Sequence, residues 1–103
     1  MSRIDQLKVF LTESPEDSFL QHALALEYIK IGKDDIARSL FETILQRDAG
    51  YLGSYYHLGK LLERTGEQAA AIQVYRKGME TALIQHDRHA YSELQAALEE
   101  LED

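Results

Sequence analysis

Apolar side chains recur along this chain at helical spacing. Leu24, Tyr28 and Ile31 stand at i, i+4 and i+7, and Tyr55, Leu58 and Leu62 at i, i+3 and i+7, each set marking one face of a helix. Tyr91, Leu94 and Leu98 repeat the second spacing near the C-terminus. Gly32 and Gly66 follow two of these sets, where a left-handed helix cap favours glycine. Asp34, Asp35 and Glu67 come next and suit the positive end of a following helix. The segments IARSLFETIL and AAIQVYRKGM then resume the helical period. No stretch alternates with period two over a useful length, so the pattern predicts helices joined by short turns and no strands.

The pattern also repeats. A shift of 34 residues places Leu58 on Leu24, Gly59 on Ala25, Leu62 on Tyr28 and Gly66 on Gly32. Beyond the turn it places Ala71 on Ala37, Val74 on Leu40, Tyr75 on Phe41 and Met79 on Leu45. The same shift sets Leu7, Phe10 and Leu11 on Phe41, Ile44 and Leu45, so residues 3–13 read as the second helix of a hairpin without its first. Residues 88–102 read as a first helix used alone as a cap, with two extra residues absorbed near QHDRH.

These residues carry a resemblance to the tetratricopeptide repeat, a 34-residue helical hairpin. Leu24, Ala25, Tyr28, Ala37 and Phe41 match its pattern in one copy, and Tyr55, Leu58, Gly59, Leu62, Ala71 and Tyr75 in the next. The departures are Gln21 at the large aromatic position, Ala49 and Leu83 for the proline, and Ile44 and Gly78 for a small residue. The resemblance implies an all-α chain, a right-handed superhelical stack of antiparallel helix hairpins with about six helices. It divides a single domain into a half-repeat helix at 3–13, repeats at 18–51 and 52–85, and a capping helix at 88–102. It also implies that the small residues at 25 and 59 face the second helix of their own hairpin, with Ala37 and Ala71 facing back. Small residues on both sides let helices approach closely.

Composition narrows the function. The chain has 103 residues, 45% apolar and 28% charged, an ordinary globular mixture. No apolar run approaches the roughly 20 residues of a membrane span, and the N-terminus lacks the features of a signal peptide. The absence of Cys excludes disulfides and thiolate chemistry and fits a cytoplasmic location. Net charge is -7, and Glu93, Glu99, Glu100, Glu102 and Asp103 crowd the C-terminus without a base. That balance argues against nucleic acid and anionic membranes as partners. His86 and His89 flank Asp87 at metal-ligand spacing, but a third ligand is missing and a polar turn accounts for them. His22 and His57 stand alone, the serines lack nucleophile-elbow glycines, and no phosphate-cradling loop occurs. The expectation is no enzyme, no cofactor and no metal.

A binding face is better defined. In the resembled family, first helices line the concave side, which carries over to Phe19, His22, Leu26, Ile29 and Lys30, and to Tyr56, Lys60, Glu63 and Arg64. Phe19, Leu26 and Ile29 form a second apolar stripe on their helix, opposite Leu24, Tyr28 and Ile31. Tyr56, Lys60 and Arg64 align an aromatic with two cations, which suits a protein or peptide partner that is acidic or carboxylate-ended. The family's terminal-carboxylate clamp uses Asn, and this chain has none. The alternative is self-assembly into a homo-oligomer, the acidic C-terminal helix meeting the Lys30, Lys60 and Arg64 face of a neighbour. Either face residue set also reads as an ordinary solvated or packed helix surface.

Overall fold

The computed structural model describes residues 1–102; Asp103, counted above among the C-terminal acids, lies outside them. Six helices follow in order: α1 Arg3–Glu13, α2 Ser18–Lys30, α3 Asp34–Arg47, α4 Leu52–Arg64, α5 Gln68–Ile84 and α6 Arg88–Leu101. Among the described residues there is no strand. The helices form two compact units, Met1–Asp48 and, from Ala49 onward, the rest of the described chain. Within the first unit α2 packs on both α1 and α3; within the second α5 packs on both α4 and α6.

Side chains start three of these helices. Ser2 Oγ, Asp17 Oδ1 and Asp87 Oδ1 accept from the backbone N–H groups of Asp5, Leu20 and Ala90 at 3.1, 3.0 and 2.9 Å. The hairpin turns end α2 and α4 by one device. Gly32 and Gly66 take φ of +78° and +83°, and the N–H groups of Lys33 and Glu67 reach back to the carbonyls of Tyr28 and Leu62 at 2.9 and 2.8 Å.

The turn between α5 and α6 has the same construction. His86 sits at φ +58°, and the Asp87 N–H bonds the Ala82 carbonyl at 2.9 Å. The two extra residues seen in the sequence register are therefore absorbed by prolonging α5. It has 17 residues where α3 has 14, and a hairpin turn replaces the connection used between α3 and α4. His86 and His89 are thus a turn residue and a first-turn residue, and the described residues hold no group of three metal-ligating side chains.

The first unit buries Leu7, Leu24, Ala25, Ala37, Phe41 and Ile44; the second buries Tyr55, Leu58, Leu62, Ala71, Tyr75, Leu94 and Leu98 among others. Two expectations fail at element ends. Ile31 leaves the apolar stripe of α2: it is the residue after the helix and 58% exposed. Phe10 shares its register with the fully buried Ile44 yet is 52% exposed. The reason lies at the third position in that register. A Cβ on Gly78 would stand 2.8 Å from Tyr55 Cβ and 2.9 Å from Leu94 Cδ1, between two first helices. Phe10 lies on α1, which packs on α2.

Gly59 faces the second helix of its own hairpin, and the side chain it meets there is that of Tyr75. A Cβ there would stand 2.6 and 2.7 Å from Cζ and Cδ1 of Tyr75, with Cε1 nearer still. The aromatic ring of Tyr75, on α5, lies across the bare backbone of α4.

Gln21 replaces an aromatic without loss of function in the fold. Tyr55 donates its hydroxyl to the Ala49 carbonyl at 2.6 Å. One repeat earlier, Gln21 Nε2 donates to the Pro15 carbonyl at 3.1 Å, the equivalent bond in the 34-residue register. Arg47 completes the site by donating to Gln21 Oε1 and the Glu16 carbonyl, both at 2.7 Å. A buried amide needs both ends satisfied, and here both are.

Candidate functional site

The family-derived face residues fall into two groups, one in each unit. On α2, Phe19 is 65% exposed, while His22, Leu26 and Ile29 are half-buried. The His22 ring lies 5.5 Å from that of Phe41, which anchors it to the hairpin interior. Lys30 is exposed, with Nζ 2.8 Å from Glu27 Oε2. The face is therefore mainly apolar, with its cation matched by a neighbour on the same helix. Tyr28, on the other side, carries the Lys8 ammonium 5.8 Å from its ring centroid.

On α4, Tyr56 and Lys60 are half-buried and Arg64 is exposed. Tyr56 is thus less open than an exposed aromatic with flanking cations would be. The Lys60 ammonium sits 5.7 Å from the Tyr56 ring centroid and within 3.8 Å of Glu63 Oε2 and 3.9 Å of Glu100 Oε2. The expected line of two cations therefore changes character. Lys60 is countered by a carboxylate from its own helix and by one from α6. Glu100 is itself largely exposed, and nothing in the chain showed how far along α4 the C-terminal helix would run.

Glu63 has a second duty. The Tyr75 hydroxyl donates to its Oε2. Burial pushes the Tyr75 phenol well above its ordinary range, and the bond to Glu63 adds to the shift. A phenol that stays protonated remains a donor, so it holds the Glu63 carboxylate toward Lys60. His57, half-buried, is pushed below its ordinary value by burial, with Glu93 acting the other way. It is neutral near pH 7.

The N-terminal ends of α4 and α6 enclose a shallow groove of about 200 Å³, with Gly53 and Tyr56 on one wall and His89, Glu93 and Leu94 on the other. His89 Nε2 lies 3.5 Å from Glu93 Oε1. A larger hollow of about 410 Å³ lies between the end of α5 and the start of α6, beside the exposed Leu83. His86, Asp87 and Ser92 are among the residues that line it.

Comparison with known proteins agrees with this construction. The sequence pattern of the tetratricopeptide repeat matches residues 52–82. A crystal structure of a tetratricopeptide repeat domain protein from Salinibacter ruber shares 41% identity and superposes with a TM-score of 0.80, over 84% of this chain and 96% of that one. This chain belongs to the tetratricopeptide repeat family. A protein of Bordetella parapertussis, solved in solution, has a TM-score of 0.84 at 26% identity, covering 98% of this repeat protein and 88% of its own chain. A TPR repeat-containing protein of Pseudomonas aeruginosa is 25% identical over 99 residues, 96% of this chain and 94% of its own length. Tetratricopeptide repeat folds generally mediate protein–protein interaction or scaffolding rather than catalysis. No helix among the described residues is long and apolar enough to cross a membrane.

Proposed function

We propose that this tetratricopeptide repeat chain is a protein-binding scaffold module that holds peptide segments of a partner on the outward faces of its first helices, without catalysis. The observation that carries the reading is the second apolar stripe of α2. Leu24 and Ala25 on one side are buried in the hairpin, yet Phe19 on the opposite side is 65% exposed, with Leu26 and Ile29 half-open along the same line. A soluble helix with apolar residues on two sides buries one in its own fold and offers the other. Tyr56 gives α4 an aromatic at the corresponding surface, and aromatic anchors dominate partner binding.

The test is affinity capture from lysate of the source cells, with the parent chain compared with Phe19→Glu and with Tyr56→Ala. Phe19 is exposed, where substitution shifts stability by only about 0.5 kcal/mol; Tyr56 is half-buried, so a thermal melt of Tyr56→Ala accompanies the capture to show that its fold is kept. A partner held by the parent and lost from both variants supports the reading. A partner held equally by all three moves the site elsewhere.

Self-assembly is the second reading, with one specific observation behind it: a carboxylate of α6 does reach Lys60 within the chain, at 3.9 Å. The same pairing between chains would link copies. Light scattering at low and high salt separates the readings, because surface ion pairs are screened. A monomer at every concentration and ionic strength removes self-assembly.

A further inference from the structure

We infer that the groove between the N-terminal ends of α4 and α6 accepts a cationic side chain, an arginine or lysine, from the bound partner. The inference rests on the proposed binding role of the first helices and names the chemistry they select. It departs from the acidic or carboxylate-ended partner that the order Tyr56, Lys60, Arg64 suggested.

The groove offers two acceptors for a positive charge: the Tyr56 ring and the Glu93 carboxylate. Each already carries a positive or protonatable nitrogen supplied by the chain itself. Lys60 lies over the ring at 5.7 Å, and the imidazole of His89 lies 3.5 Å from Glu93. The imidazole at Glu93 is a weakly held stand-in. The His89 side chain is 86% exposed, and exposed pairs between residues four apart contribute little. Lys60 makes only long contacts, at 3.8 and 3.9 Å, and can stay with Glu63 and Glu100 when a second cation reaches the ring.

The surroundings favour a cation over an anion. Glu63 and Glu100 already offset Lys60, so no unmatched positive charge is left at that position for a ligand carboxylate to use. His57, held neutral by burial, adds no positive charge beside Glu93. Asp87 caps α6 by accepting from the Ala90 N–H at 2.9 Å, and its charge offsets the positive end of that helix. Gly53 adds no side chain to the lining, and the volume of about 200 Å³ is enough for one long side chain. A planar guanidinium laid on Tyr56 can also bond Glu93, which combines a cation–π contact with a charge-assisted hydrogen bond.

The probe is the acetylated, amidated peptide Gly-Ala-Arg-Ala-Gly, titrated into the isotope-labelled full chain and followed by amide NMR shifts. Its controls carry citrulline or glutamate in place of arginine. Saturable shifts at Gly53, Tyr56, Ala90 and Glu93, about fivefold or more weaker with citrulline and absent with glutamate, are expected. Glu93→Gln, at a half-exposed position, keeps the side-chain shape and removes the charge, and should weaken arginine binding by a similar factor with the melting temperature measured alongside. Equal binding of citrulline, stronger binding of glutamate, or arginine shifts that map outside the groove overturn the inference. So does the absence of saturable shifts. If these fail while a captured partner still depends on Phe19 and Tyr56, the cation claim alone falls; loss of that dependence as well removes the wider reading.

Discussion

Replacing Gly59 by alanine adds one methyl group beneath the Tyr75 ring. Two ring atoms would lie 2.6 and 2.7 Å from the new Cβ, well inside ordinary carbon–carbon contact. The ring has little room to retreat, being fully buried, with its hydroxyl bonded to Glu63. Overpacking of this kind costs about 1–3 kcal/mol. Alanine returns up to about 1 kcal/mol through helix propensity. The overlap is with ring carbons of a tethered side chain, so a net loss of about 1–2 kcal/mol is expected, and each kcal/mol lowers the melting temperature by roughly 4–8 °C in a domain of this size. Urea denaturation followed by circular dichroism, with a thermal melt alongside, measures both. The register supplies an internal control. Ala25 and Phe41 occupy the same two positions in the first unit, and both are fully buried. The double variant Gly59→Ala with Tyr75→Phe recreates that pair and frees the ring from Glu63. It should therefore cost less than the sum of its single changes. A Gly59→Ala protein that melts at or above the parent would falsify the ring contact as the reason for the glycine.

Other expected outcomes follow from single contacts. Gln21→Leu removes the bonds to Pro15 and Arg47 and should destabilise by about 1–3 kcal/mol in the same denaturation assay, because two part-buried hydrogen bonds are lost, one of them from a guanidinium. His86→Gly relieves the left-handed backbone at φ +58°, and a rise of up to about 1 kcal/mol in stability is expected, less the entropy that glycine adds to the unfolded chain. Truncation after Asp87 uncovers the surfaces against which Leu94 and Leu98 are buried; each such side chain contributes about 1.5–3 kcal/mol, so loss of cooperative unfolding and binding of the dye ANS are expected. His57, lowered by burial from its ordinary 6.5, contributes stability that is present above that value and lost as pH falls through its folded-state value. Below pH 6.5 the parent should therefore lose stability faster than His57→Gln, as read from melts taken across that range.

The all-α fold could be read from the sequence because its signals are local. Helical spacing of Leu58 and Leu62, glycine at 32 and 66, and acids after each turn state their roles within a few residues of themselves. What depended on neighbours was less visible. Phe10 matches Gly78 by register, but Gly78 is enclosed by Tyr55 of α4 and Leu94 of α6, while Phe10 lies on α1, which packs on α2. Ile31 fits the apolar period of α2, yet the helix ends one residue earlier, so periodicity had no bearing on it. The left-handed His86 could have been suspected only from the two extra residues in its register, since histidine carries no turn signal as glycine does.

The candidate site shows the same division. The outward positions of α2 and α4 follow from helical geometry, and Phe19 does stand open. The charge state of the α4 face does not follow from α4. Lys60 and Tyr56 read as an anion-seeking pair until Glu100, forty residues along the chain, is brought beside them. Charge at a surface is a property of every element that borders it, and sequence spacing reports one element at a time.

Site-specific photo-crosslinking in the source cells tests the central claim most directly. A photoreactive phenylalanine analogue is placed at Phe19 and Tyr56 on the first helices, and at the exposed Thr43 and Gln73 on second helices as controls. Discrete adducts with the same partner protein at Phe19 and Tyr56, and none at Thr43 or Gln73, are the predicted result. Adducts confined to Thr43 and Gln73, or equally strong at all four positions, contradict a binding role for the first-helix faces.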